Sequence, residues 1–264
     1  MLSNPLLLIS GVVVVAVLGY VFRALSFSGA IGTIVVGCFI SLGYKVEGLL
    51  LIGAFFVSSS IWSKLIKKQD SSEIIVKGSR RDYIQVFANG AIPASFSLLY
   101  FVNPHEWIIV GFITAIAVAN SDTWASEIGP LSKKQPIHIL SLKKVDTGTS
   151  GAISLFGTIA SLIGSVFIAT IGFILFEISI FTLWWVALFG IVGCFLDTIL
   201  GATIQAQYTC KKCGKITEKN SHCNESTTLT KGVRIMNNDM VNISAILLAT
   251  IFSTIGWNML FSNL

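Results

Sequence analysis

Apolar residues recur along this chain in runs long enough to cross a lipid bilayer, and polar residues gather between the runs. A helical span needs about 20 apolar residues. Eight runs approach this length, at residues 6–21, 28–42, 48–62, 83–101, 107–119, 152–176, 181–205 and 241–260. The pattern predicts an all-α fold, a polytopic integral membrane helical bundle of about eight transmembrane helices, which forms a single domain over residues 1–264.

The positions of the positive charges give the predicted helices an orientation. Lys and Arg are enriched in loops that stay on the cytoplasmic side of a membrane. Of the 18 Lys and Arg residues, Lys45 alone falls in an outward connection when both termini are placed outside. The others lie at the turn around Arg23 and in cytoplasmic loops 63–82, 120–151 and 206–240. We therefore expect a multi-pass protein of the cell (plasma) membrane, with any site facing the cytoplasm.

Composition agrees with a membrane protein. Hydrophobic residues make up 53% of the chain and charged residues 12%, whereas soluble domains carry about 25% charged residues. The net charge of +5 is explained by Lys and Arg beside anionic lipid, and no nucleic-acid-binding motif is found. The expected partner is the lipid bilayer and not nucleic acid, and the sequence leaves the oligomeric state open.

One carboxylate lies well inside a predicted span. Ionisable groups within a span are costly and are therefore candidates for function. Asp197 is in the seventh predicted helix, where a spacing of four residues places it on one face with Gly201 and Gln205. The alternative for Asp197 is a buried carboxylate that a neighbouring helix satisfies.

Polar clusters also open the fourth and eighth predicted helices. For Asp82 the alternative is a favourable acid at a helix N-terminus, whereas capping hardly explains all the polar residues that open the eighth helix. The clusters are Arg81, Asp82, Gln85 and Asn89 in the fourth helix, and Asn238, Asp239 and Asn242 in the eighth.

Four carboxylates are predicted to gather at one membrane leaflet: Asp82, Asp122, Asp197 and Asp239. Like charges in a low dielectric repel, so either their pKa values rise or a cation binds. Oxygen ligands suit Mg²⁺, which proteins hold by one or two carboxylates together with substrate phosphates. We therefore expect Asp122, Asp197 and Asp239 to bind Mg²⁺.

A basic segment precedes the sixth predicted helix. Lys143 and Lys144 suit phosphate groups as point charges. The Gly-, Ser- and Thr-rich turn 148–151 leads into the helix, where backbone N–H groups can face an anion. The segment lacks the Walker A pattern. The alternative is an ordinary helix cap beside lysines that mark the cytoplasmic side.

The last inward loop contains four potential zinc ligands: Cys210, Cys213, His222 and Cys223. Three Cys and one His fit a tetrahedral structural zinc site, whose closed shell leaves no position for a substrate. Zinc would then fold the loop over the site. The alternative is a loop of free thiols with an exposed His222.

Four segments, taken in order, cover nearly the whole chain and resemble a known membrane family. They are residues 81–90, 119–129, 148–151 and 197–205, and the run Asp122-Thr123-Trp124-Ala125-Ser126-Glu127 is distinctive. The family includes the plant phytyl-phosphate kinase of vitamin E synthesis and animal transmembrane protein 19. The resemblance implies phosphorylation of a prenyl monophosphate. The order of Asp122, Lys143-Lys144 and Gly148-Thr149 is also similar, more loosely, to CTP-dependent dolichol and phytol kinases and phosphatidate cytidylyltransferases.

The resulting hypothesis is a prenyl-phosphate or polyprenyl-phosphate kinase that uses a nucleoside triphosphate, with CTP as the expected donor. The expected catalytic residues are Asp122, Asp197, Lys143 and Lys144. The expected substrate-binding residues are Arg81, Asp82, Gln85, Asn89, Asn120, Thr123, Glu127, Gly148, Thr149, Ser150, Gly151, Gln205, Asn238 and Asn242. The alternatives are a CTP-dependent cytidylyltransferase acting on a lipid phosphate, and a lipid-phosphate or ion-coupled transporter. The Cys/His loop departs from the plant pattern.

Overall fold

The computed structural model describes residues 4–66 and 80–261. Residues 67–79 of the predicted loop 63–82, with Lys67, Lys68 and Lys77, lie outside the described residues. The helices are α1 (Pro5–Val21), α2 (Phe27–Leu65), α3 (Tyr83–Val102), α4 (Glu106–Ile128), α5 (Leu155–Phe176), α6 (Ile180–Thr203) and α7 (Asn238–Phe261). The strands are β1 (Ile137–His138), β2 (Ala152–Ile153), β3 (Gln207–Cys210), β4 (Ile216–Thr217), β5 (Ser221–His222) and β6 (Glu225–Lys231).

The predicted helical membrane bundle is confirmed. Among the described residues, six helices, α2 to α7, are long and apolar enough to cross a membrane. Helix α1 is apolar but has 17 residues and falls below that length. Helix length and composition therefore give six candidate spans among the described residues, and not the eight that were predicted.

Helix α2 does not run straight along its 39 residues. At Lys45 the backbone leaves the helical region, with φ 46° and ψ −129°. Arg81 touches both parts: its carbonyl accepts from the Ser26 N–H at 2.9 Å, and its guanidinium lies 5.8 Å from the Phe55 ring centroid. A straight helix would separate Ser26 from Phe55 by about 44 Å. The halves 27–44 and 46–65 are therefore antiparallel, and the break falls in the predicted connection between the second and third helices.

Helix α4 forms the centre of the bundle. Every residue from 110 to 121 is buried, as expected for a helix that is apolar on all sides. It packs against α2, α3, α5, α6 and α7. Small residues allow this close approach; a Cβ added at Gly193 of α6 would overlap the side chain of Val118.

The predicted boundaries need correction around the polar segments. Helix α4 continues to Ile128, so the first nine residues of the predicted loop 120–151 are helical. Helix α5 begins at Leu155 and not at residue 152, because Ser154 caps it by accepting from the Gly157 N–H at 3.1 Å. The turn 148–151 therefore belongs to the β1–β2 hairpin region and does not form the helix N-terminus.

The predicted loop 206–240 folds into a small sheet. Its strand order is β4-β3-β6-β5, and all pairs are antiparallel. Cys223 and Asn224 join β5 to β6 with positive φ at both residues, as a two-residue type I′ hairpin requires. Gly232, at φ 77°, lies against the carbonyls of Ile204 and Gln205, and this contact holds the sheet against the end of α6.

Candidate active site

A polar cavity of about 1490 Å³ lies where α3 and α7 begin and α4 and α6 end. The β1–β2 hairpin and the β3–β6 sheet contribute the rest of its lining. We call it the polar cavity. Its acids are Asp122, Glu127, Asp146, Asp197, Glu218 and Asp239, and its cations are Arg81, Lys134, Lys215, Lys219 and Arg234. A cavity with both signs of charge can hold a cation and an anion side by side.

Asp122 of α4 and Asp197 of α6 face each other closely enough for their charges to interact. The Cys194 thiol lies 4.0 Å from Asp122 Oδ1. The side-chain amide of Asn242 in α7 finds hydrogen-bond partners when its nitrogen faces α6. In that orientation the nitrogen donates to Asp197 Oδ2 at 2.8 Å and to the Asn238 carbonyl at 3.0 Å. Asp197 is thus oriented by a helix other than its own.

Glu218 joins these acids from the β-sheet and was missed by the sequence analysis. Its Oε1 accepts from the Ser150 hydroxyl at 2.8 Å and from Gln205 Nε2 at 2.7 Å. Burial raises the pKa of Glu218, the Ser150 hydrogen bond opposes that shift, and the charge of Asp239 adds to it. No local signal distinguishes Glu218 from an exposed acid in a lysine-rich loop, because only the sheet brings it to the cavity.

Arg81 stands at another corner of the polar cavity. Its guanidinium lies 5.8 and 5.7 Å from the ring centroids of Phe55 and Phe56, within cation–π range. The charge of Glu127 attracts it, and Ser63 donates to Glu127 Oε1 at 2.7 Å. These contacts hold the Arg81 cation at one position.

Two predicted site residues have structural partners and lie outside the cavity lining. Asp82 caps α3: its side chain accepts from the Gln85 N–H at 2.9 Å, and the Gln85 side chain accepts from the Asp82 N–H at 3.2 Å. Asn120 is buried, donates to the Gly164 carbonyl at 2.7 Å and accepts from the Ser58 hydroxyl at 3.3 Å. Asn120 therefore ties α4 to α5 and α2.

The predicted lysine pair also lies away from the cavity. Lys143 and Lys144 are exposed on the segment that joins β1 to β2 and are not part of the cavity lining. The turn 148–151 does line it, and the Thr149 N–H is bonded to the Asp146 carbonyl at 3.2 Å. Gly151, at φ 81°, packs against Ala202 of α6, where a Cβ would overlap it.

The cavity brings together most of the predicted site residues. They are Arg81, Gln85, Asn89, Asp122, Thr123, Glu127, Gly148, Thr149, Ser150, Gly151, Asp197, Gln205, Asn238, Asp239 and Asn242. Within residues 4–66 and 80–261, however, the acids do not form a cluster of three or more closely spaced metal ligands. A cation held by these acids would need further ligands from a bound molecule.

The Cys/His residues do form such a cluster. The ligand atoms of Cys210, Cys213, His222 and Cys223 all lie within 4.8 Å of one another. His222 Nδ1 is 3.4 Å from the Cys213 sulfur and 3.2 Å from the Cys223 sulfur, close to the separation of about 3.6 Å expected between N and S ligands of tetrahedral zinc. The turn between β5 and β6 explains how adjacent His222 and Cys223 reach the same point.

The fold and the cavity together define a polytopic helical membrane protein with a charged site at one end of its bundle. The chain belongs to the family described as integral membrane protein DUF92, which matches residues 10–250. The resemblance found in the sequence is thereby confirmed.

Three relatives illustrate the range of this family. An uncharacterized membrane protein of Methanocaldococcus jannaschii is 31% identical, over 80% of this chain and 84% of its own. Protein PGR of Arabidopsis thaliana is 30% identical, over 91% and 92%. Protein VTE6, chloroplastic, also of Arabidopsis thaliana, is 27% identical, over 90% and 67%. No solved structure matches the chain significantly.

Proposed function

We propose that this protein is an isoprenoid-phosphate kinase that transfers the γ-phosphoryl group of a nucleoside triphosphate to a prenyl monophosphate. The observation that carries the proposal is the polar cavity, where acids from α4, α6 and α7 lie beside five cations. The resemblance to the family of the plant phytyl-phosphate kinase supports the same class of reaction, and the similarity to protein VTE6, chloroplastic, is in line with it.

The chemistry requires positioning more than proton transfer. A phosphate monoester has a second pKa near 6, so at neutral pH the acceptor oxygen is already a nucleophile. It attacks the γ-phosphorus, the bond from that phosphorus to the β–γ bridging oxygen breaks, and the nucleoside diphosphate leaves with the electron pair. The protein has to align the two phosphates and neutralise their charge.

Asp122, Asp197 and Asp239 are the candidate Mg²⁺ ligands. They line the polar cavity without forming a closed ligand set, which suits an ion that proteins hold by one or two carboxylates together with substrate phosphates. Bound Mg²⁺ would neutralise charge on the donor phosphates. Asn242 would keep Asp197 oriented through its hydrogen bond to Oδ2.

The cations of the cavity provide the contacts for phosphate. Lys134, Lys215, Lys219 and Arg234 line it on the side of the loops, and we assign the donor phosphates to them in place of Lys143 and Lys144. Arg81 lies beside Gln85 and Asn89 of α3 and is assigned to the acceptor phosphate. With the basic loops on the inner face, the cavity would open to the cytoplasm at a plasma membrane.

A structural Zn²⁺ is proposed at Cys210, Cys213, His222 and Cys223, on the basis of the short separations among their ligand atoms. A closed shell of four protein ligands leaves no position for a substrate. The role of this site would be to hold β3 and β5 in place, and the same sheet carries Glu218 and Lys219 to the polar cavity.

The experiment uses detergent-purified protein, Mg²⁺ and γ-labelled CTP or ATP, with phytyl, geranylgeranyl and undecaprenyl monophosphates as acceptors. The proposal predicts label in a lipid diphosphate and formation of the nucleoside diphosphate. Release of pyrophosphate instead would indicate a cytidylyltransferase. Absence of transfer to every acceptor, from protein shown to be folded by thermal shift, would contradict kinase activity and favour transport.

A further inference from the structure

A second cavity, of about 340 Å³, lies between α1, both halves of α2, and α3. Its walls are mostly apolar and include Leu8, Val12, Val36, Leu49 and Val86. We call it the apolar groove. Such walls accommodate a hydrocarbon chain within the membrane, because they are as apolar as the lipid tails that surround the protein.

The apolar groove and the polar cavity share one wall. Arg81, Gln85 and Asn89 line both of them. The rings of Phe55 and Phe56, which flank the Arg81 guanidinium at 5.8 and 5.7 Å, belong to the groove. An anion bound at Arg81 would therefore stand at the junction, with an apolar channel on one side and the charged cavity on the other.

The glycines of the groove have two different environments. A Cβ added at Gly37 would press on Val12, and one at Gly90 would press on Val36, so both glycines serve close helix packing. A Cβ added at Gly53 meets no heavy atom within 4 Å. Gly53 therefore leaves open space beside the wall of the groove, which makes it the position at which a larger side chain can be introduced to narrow the groove.

We propose that the apolar groove holds the isoprenoid tail of the lipid phosphate while Arg81 binds its phosphate group, and that Gly53 helps to set the tail length accepted. The substrate class rests on the proposed kinase function. The two cavities match the two ends of such a molecule, since a phosphate needs charge-assisted hydrogen bonds and a hydrocarbon needs a dry surface.

The test is the variant Gly53→Phe, assayed with phytyl monophosphate and with the shorter geranyl and dimethylallyl monophosphates. We expect kcat/KM for phytyl monophosphate to fall about tenfold or more, since an overfilled apolar site loses binding free energy. The value for dimethylallyl monophosphate should stay unchanged. The matched control is Val57→Phe, because Val57 lies in the same half of α2, is 53% exposed and does not line the groove.

Equal loss for long and short tails, or no change for phytyl monophosphate in Gly53→Phe, would overturn the tail assignment and leave bulk membrane lipid as the occupant. If the wild type transfers no phosphoryl group, retention of phytyl monophosphate in native mass spectrometry replaces kcat/KM as the readout. Retention by wild type and Val57→Phe but not by Gly53→Phe would support the groove even then. Equal retention by all three proteins would refute it.

Discussion

Asp82 and Asp197 are aspartates near the same end of the bundle, and their contacts give them different roles. Asp82 forms a reciprocal capping box with Gln85, so its oxygen is used by the backbone of α3. Asp197 lines the polar cavity and receives a hydrogen bond from Asn242 of another helix. We expect Asp82 to stabilise helix α3 and Asp197 to take part in phosphoryl transfer as a candidate Mg²⁺ ligand.

Substitution of Asp82 tests its role as a helix cap. Asn is as good an N-cap as Asp, whereas Ala costs about 1 kcal/mol. Thermal unfolding in detergent should therefore leave Asp82→Asn close to the wild type and lower the stability of Asp82→Ala. Phosphoryl transfer should continue in both variants. Loss of transfer in a fully stable Asp82→Asn protein would instead place this carboxylate in the site.

Asn120 tests a second structural assignment. Asn120→Ala leaves the buried Gly164 carbonyl without its 2.7 Å partner, which should lower the free energy of unfolding by about 1–3 kcal/mol. The comparison variant is Ser58→Ala, which should cost less because the contacts it removes are longer. They are the 3.3 Å contact to Asn120, the 3.3 Å contact from Trp124 and the 3.2 Å bond to the carbonyl of residue Phe55 in the same helix. An Asn120→Ala protein as stable as wild type but inactive would show a direct catalytic role.

Residue types alone could predict many residues of the candidate site but not all the residues that line the cavity. Asp122, Asp197 and Asp239 stood out because a carboxylate near apolar helix is costly. Glu218 and Lys215 gave no such signal, because they lie in a polar segment where charge is ordinary. Only the pairing of β3 with β4 brings that segment to the cavity.

At the scale of elements, the turn within α2 has the clearest energetic consequence. Lys45 adopts φ 46° and ψ −129°, close to the first central position of a type II′ turn, where Gly is preferred. Lys45→Gly should therefore raise the melting temperature in detergent. In a continuous helix the same change would destabilise by about 1 kcal/mol, so a lowered melting temperature would contradict the antiparallel arrangement of the two halves.

The β3–β6 sheet should depend on the zinc ion that we propose at Cys210, Cys213, His222 and Cys223. Wild-type protein should contain about one zinc ion per chain, measured by elemental analysis, and Cys213→Ser should lose it and melt at a lower temperature. Cys38→Ser is the matched control, since Cys38 lies in α2 away from the cluster. A zinc-selective chelator, added with Mg²⁺ in excess, should also reduce phosphoryl transfer through loss of the sheet. Equal zinc contents in the two variants, or none in the wild type, would refute the assignment.

The sequence could locate the helices better than their ends. The apolar run 107–119 predicts a helix that ends where polar residues begin, but α4 continues to Ile128 because its polar side chains bond neighbouring helices or face the cavity. For the β3–β6 sheet the sequence predicts only a loop, residues 206–240. Its longest strand, Glu225–Lys231, has mostly exposed polar side chains, so no alternation of apolar and polar residues marks it.

At the scale of the whole molecule, the segments predicted on the cytoplasmic face meet at one cavity. The start of α3, the end of α4, the β1–β2 hairpin and the β3–β6 sheet all contribute to its lining. The apolar groove reaches the same place through Arg81. A substrate with a lipid tail and a phosphate head could then meet a water-soluble nucleotide at the membrane surface.

The most direct measurement of the central claim compares wild type with Asp197→Asn for transfer of γ-label to phytyl monophosphate. The substitution keeps the shape of the side chain but removes the charge proposed to hold Mg²⁺. The account predicts labelled lipid diphosphate with the wild type and a loss of about 100-fold or more with the variant, while thermal unfolding shows both folded. Equal transfer by the two proteins would contradict the assignment of this cavity as the active site.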